Sequence, residues 1–191
     1  MKYDEYMKCA KKHLYGCRNL LSSYKEDGEN DGHVWLELYY LSGYILEGIV
    51  VYYAYRNNGW LPQVDIQRNY NVDFTEKTHL DFYYQRKEKK EEKWAKAVKD
   101  FFANPEKRGR LSVQGHRFQE IAKSLLYKDP LFEEVPYIGS GRVIDKEINR
   151  LIESWRPEVR YKYKETNNLN GKVIAGLINA CDDIYQKVRI E

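Results

Sequence analysis

Residues 155 to 164, WRPEVRYKYK, set Arg156, Arg160, Lys162 and Lys164 among Trp155, Tyr161 and Tyr163. Guanidinium and ammonium groups hold phosphate oxygens and aromatic faces stack on bases, so this interleaving suits single-stranded nucleic acid or a nucleotide. A second pair, Arg110 and His116, has five residues between its members. A histidine there could move the proton of a ribose 2′-hydroxyl near neutral pH while the arginine holds the scissile phosphate, which would be RNA cleavage without a metal. In a chain with 32 basic residues and four histidines, a pair at this spacing also arises by chance, and His116 then serves a helix start or packing. His13, His33 and His79 have no companion at metal-ligand spacing and are assigned no chemistry.

A third residue, Glu47, stands out by its surroundings. It lies at the centre of LYYLSGYILEGIVVYYAY, residues 38 to 55, a run that is apolar on nearly every side of a helix. Such a helix belongs in the middle of a core, and a carboxylate there must find a partner or lose its charge. Arg160 is the best-placed cation, so a buried structural pair of Glu47 and Arg160 is expected. Tyr161 then closes the core, Trp155 anchors the turn, and Lys162, Tyr163 and Lys164 remain for a ligand.

The elements that must carry these residues read as helices. Tyr3, Met7, Ala10, Leu14, Cys17, Leu21 and Tyr24 alternate spacings of four and three, which puts them on one stripe of a long first helix. The glycines in residues 26 to 32 end it and imply a helical hairpin into a second helix from His33 to Arg56. Gly43 and Glu47 are one turn apart on that helix, with Val50 and Ala54 continuing a narrow face that another backbone can approach. Residues 59 to 77 include VDIQRNYNVDF, whose alternation suggests a small hairpin. A helical pattern resumes from Thr78 to Phe102, where the mixed charges of QRKEKKEEK fit a solvated face with spaced ion pairs. Phe118, Ile121, Ala122 and Leu125 predict a short helix, Ile144, Ile148, Leu151 and Trp155 another, and Val173, Leu177, Cys181, Ile184 and Val188 a closing one. The whole reads as an all-α fold, an antiparallel helical bundle of five to six helices in one domain spanning residues 1 to 191.

Composition narrows the function classes. With 42% hydrophobic and 32% charged residues, the chain has the balance of a folded soluble protein, and a net charge of +3 does not by itself imply nucleic acid. Cys9, Cys17 and Cys181 lack any CxxC spacing, so they are expected reduced, buried and structural rather than bridged or bound to zinc. Glu37, Glu47 and Arg56 divide the apolar helix into uncharged runs of nine and eight residues. A bilayer needs roughly 18 to 20, so no membrane association is expected. MKYDEYMKCAKK lacks the apolar centre of a signal peptide, which makes the cytoplasm the expected location. No glycine-rich phosphate loop, nucleophile motif or acidic metal cluster occurs, and no cofactor is expected.

Three segments in the same order resemble the HEPN family of small helical bundles found in prokaryotic toxin–antitoxin, defence and nucleotidyltransferase-associated proteins. Leu41-Ser42-Gly43-Tyr44-Ile45-Leu46-Glu47 is similar to the family's leu-ala-gly-tyr-x-x-glu core pattern, Gly115-His116-Arg117-Phe118 to its gly-his-x-leu, and Trp155 through Arg160-Tyr161 to its arg-tyr segment before the last helix. The likeness covers roughly residues 5 to 57 and 115 to 190, leaving 60 to 114 as an insertion. It implies a HEPN-like bundle, a homodimer, and a nucleotidyltransferase partner protein, a nucleotide or RNA as the bound species. The chain departs from the family in two places. Val51 stands where many relatives have a lysine, and Glu165, Thr166 and Asn167 stand where the ribonuclease branch has the histidine that follows its arginine. The resemblance therefore implies a non-catalytic binding protein, with two alternatives: a metal-independent ribonuclease toxin using Arg110 and His116 or the Arg160 region, and a helical scaffold that binds only protein.

Overall fold

The computed structural model describes residues 2–24, 31–57, 118–119, 122, 135–138, 141–161 and 169–189. Among them the chain is helical, without strands, in the order α1 (Asp4–Ser23), α2 (Asp31–Asn57), α3 (Lys146–Ser154), a 3₁₀ turn (Pro157–Tyr161) and α4 (Gly171–Arg189). Phe118, Gln119 and Ala122 are also helical. The all-α expectation holds. The expected hairpin, the helix over 78 to 102, the insertion that contains both, and Ile121 and Leu125 lie outside the described residues.

α1 forms where the alternating spacing places it. Met7, Ala10, Leu14 and Cys17 are buried along one stripe, with Leu21 and Tyr24 packed at its end. Cys9 corrects the sequence expectation by being exposed, because it sits about 100° around the helix from the stripe residue Ala10. The α1–α2 hairpin is antiparallel. Its open end is closed by Tyr3 against Tyr52 and Tyr55, with ring centroids 5.7 Å apart in both contacts. At its turn, the Tyr24 hydroxyl donates to Asp31 Oδ1 at 2.6 Å and the Tyr24 ring meets Trp35 edge-on.

α2 is the central element, packed against α1, α4 and the 3₁₀ turn. Asp31–Arg56 is long and apolar enough to cross a membrane by length and composition, but 72% of that window is buried inside this fold, the position of a core helix. Its two inner glycines do different work. At Gly48 a Cβ would stand 2.6 Å from the Tyr6 carbonyl oxygen, so this is where the α1 backbone comes close. At Gly43 a Cβ would stand 1.8 Å from the Trp155 ring. The close approach expected at Gly43 is thus made by an indole, and the backbone approach lies five residues further on.

Two tight local structures fix α3. Tyr137 adopts a left-handed backbone (φ 67°), unusual for a bulky residue, inside a buried turn closed by Gly141 N–H donating to the Ile138 carbonyl at 2.8 Å. The Tyr137 hydroxyl accepts the Asp145 N–H at 3.0 Å, and the Asp145 carboxylate caps α3 by accepting from the Glu147 and Ile148 N–H groups at 2.7 and 3.0 Å. At the other end, the last carbonyls need partners from outside the helix. Tyr39 donates to Leu151 at 2.8 Å, Gln119 to Ile152 at 2.6 Å and Arg156 to Glu153 at 3.0 Å. α3 is therefore tied to α2 and to the Phe118 segment, and the 3₁₀ turn that follows is delivered to the surface beside α2.

Candidate functional site

Trp155 is the pivot on which the candidate site turns. Its ring is buried on Gly43, contacts Tyr44 edge-on at 5.3 Å and Phe118 at 5.7 Å, and its Nε1–H donates to the Tyr40 carbonyl at 3.2 Å. All three motif segments singled out in the sequence meet at this ring. The 3₁₀ turn leaves it with Val159 buried beneath and Arg160 and Tyr161 outside.

Arg160 is exposed, whereas Glu47 is only 4% exposed. The acid is buried as expected; the guanidinium is held at the surface instead, because the 3₁₀ turn buries Val159 and leaves its neighbour outside. It donates to the Tyr161 hydroxyl and lies over the Tyr161 ring, 4.4 Å from the centroid. The neighbouring Tyr40 hydroxyl first, and that of Tyr161 second, raise the Arg160 pKa. Tyr161 is 74% exposed, and only its side toward Arg160 is engaged by the guanidinium.

Two hydroxyls of α2 neighbour this cation. Tyr40 donates to the Tyr44 hydroxyl at 3.3 Å, and the two rings meet edge-on at 5.0 Å. The Tyr44 pKa is raised, first by burial, then by the Tyr40 hydrogen bond; Glu47 adds to the rise and Arg160 opposes it. Tyr44 thus lies in the fields of both the buried acid and the surface cation. Glu47 acts on α1 as well, where the Tyr6 hydroxyl is pushed up to about 12 by burial first and Glu47 second. From α1, His13 brings its ring to 6.3 Å from that of Tyr44.

The sequence-derived candidates separate by position. Arg160 and Tyr161 come together at the surface. Arg156 is exposed and serves the turn, donating to the Glu153 carbonyl and to the Trp155 carbonyl at 2.6 Å. Arg110, His116, Lys162, Tyr163 and Lys164 lie outside the described residues. Tyr40, Tyr44 and His13 are additions that sequence spacing did not single out. The one signal for the tyrosines is their i, i+4 spacing, which places both on the Glu47 side of α2. His13 carries no such signal, since its neighbour comes from another helix.

The arrangement offers an exposed guanidinium, an exposed phenol ring and two part-buried hydroxyls within one patch, groups that bind an anion and stack on a planar ring. No group of three or more histidine, cysteine or acidic residues placed to hold a metal occurs among the described residues. No protein-family model, curated protein or solved structure matches the chain.

Proposed function

We propose that this protein is a non-catalytic, HEPN-like binding protein of the cytoplasm that engages the phosphate and base of RNA or a nucleotide through Arg160 and Tyr161. The observation that carries the reading is the exposed Arg160 guanidinium, hydrogen-bonded to the Tyr161 hydroxyl and lying over its exposed aromatic ring. A cation oriented in advance loses little freedom when a phosphate arrives, and its ring neighbour supplies a stacking face. Lys162, Tyr163 and Lys164 continue the same alternation in sequence. The convergence of the Gly43, Phe118 and Trp155 segments on one ring supports the family likeness, and with it a homodimer that works beside a nucleotidyltransferase partner.

The test is fluorescence anisotropy with a labelled single-stranded RNA in chelator, with the RNA recovered to check its length. Arg160→Gln is expected to weaken binding about tenfold, the size of one charge-assisted contact, and Tyr161→Ala by a similar factor. The melting temperature should not move for Arg160→Gln. Wild-type affinity in both variants would reject this surface, and shortened RNA would favour the ribonuclease alternative.

A further inference from the structure

We infer that the outer face of α1 is a second contact surface, which lays a single strand of nucleic acid along Lys8, Lys11, Lys12 and Arg18 with an unpaired base on Tyr15. Between Tyr6 and Tyr24 the chain holds these four basic residues and no acidic one, although the whole sequence is nearly balanced at 32 basic against 29 acidic residues. All four are exposed, and Tyr15 is 69% exposed. Helix geometry gathers them. Lys11 and Lys12 stand four and three residues before Tyr15 and Arg18 three after it, so each neighbours the ring, and Lys8 lies one turn further back. From Lys8 to Arg18 the helix rises about 15 Å, room for several successive phosphates of one strand. This surface does not depend on the Arg160 site: Tyr15 lies about 160° around the helix from His13, whose ring meets Tyr44.

The pattern runs against what an isolated helix would favour. Lys8 and Lys12, four residues apart, repel each other. The last turn of α1, where the helix dipole rewards a cation, holds no basic residue. Asp4 bonds Lys8 at 2.8 Å, Asp182 of α4 pairs with Arg18, and Glu5 turns back to accept the Lys2 N–H at 3.0 Å. The pairs anchor the two ends of the row, with Lys11, Lys12 and Tyr15 between them. A nucleic-acid strand fits this face better than a lipid surface does, because the apolar side of α1, with Met7, Ala10, Leu14 and Cys17, is buried in the fold and has nothing to sink into a bilayer. A phenol ring among cations offers a stacking face beside phosphate contacts, the combination that holds single strands.

The test is fluorescence anisotropy with a labelled oligouridine of about 20 nucleotides, at salt concentrations between about 50 and 200 mM. Replacing both lysines, Lys11→Gln with Lys12→Gln, is expected to reduce the slope of log K against log salt by about 1.4, the share of two phosphate contacts on a single strand. Tyr15→Ala should weaken binding about tenfold and leave the slope unchanged. Melting temperatures should stay at the wild-type value, since all three side chains are exposed. The lysine pair of substitutions placed in Arg160→Gln should reduce the slope by the same amount, as expected of separate surfaces. An unchanged slope in the lysine variant, full affinity in Tyr15→Ala, or no binding of oligouridine by the wild type would overturn the inference. So would a lysine variant that keeps the wild-type slope but no longer sediments with vesicles of equal parts phosphatidylserine and phosphatidylcholine, which would assign the face to lipid.

Discussion

The seam between α2 and α3 and the Arg160 face are neighbours that share Trp155, yet they are built on opposite terms. In the seam, Trp155 fills the hollow at Gly43 and Tyr39 satisfies the Leu151 carbonyl from inside the core. Every polar group named there has a protein partner. On the face, a cation and a phenol ring stand in solvent, in contact with each other.

Predictions that break or sharpen this contrast can be ordered by size. Trp155→Ala should be the most damaging, at about 3–5 kcal/mol, since it opens a cavity under both Tyr44 and Phe118. Chemical denaturation measures it; a loss well under 1 kcal/mol would mean that the ring is not the pivot. Gly43→Ala attacks the same contact from α2 and should cost about 1–3 kcal/mol, because the obstructing atoms belong to a rigid indole rather than a flexible chain end. Tyr39→Phe removes one donor and leaves the buried Leu151 carbonyl with less than its due, for about 1–2 kcal/mol, again read by denaturation.

The smallest effect belongs to His13 and comes from pH. Its folded-state pKa is depressed, so the unfolded chain binds the extra proton more readily. The stabilising share of the neutral ring is complete above the unfolded value of about 6.5 and is lost as pH falls below it. Comparing melting temperatures at pH 7.5 and 5.5, the wild type should lose more than His13→Gln. An equal loss in both would show that folding does not depress the His13 pKa.

Much of the framework was legible in the residues. The spacing of Met7, Ala10, Leu14 and Cys17 fixed which side of α1 is buried, since helix geometry converts sequence interval directly into angle. Burial of Glu47 followed from the apolar run around it. The exposure of Arg160 did not follow in the same way. Whether a side chain at a given position faces inward depends on the turn that carries it, and here the 3₁₀ turn buries Val159 and exposes its neighbour. The residues pointed to Gly43 for a close backbone approach; only the packed helices decide that Gly43 receives an indole and Gly48 a carbonyl.

The sequence alone therefore determined the helices, their buried stripes and the presence of an acid in the core, because these depend on periodicity within one segment. Tertiary structure alone decided that His13, Tyr40, Tyr44 and Arg160 are neighbours. Those residues come from α1, α2 and the 3₁₀ turn, and their meeting depends on how Trp155 seats α3 and the turn on α2. No interval along the chain encodes it.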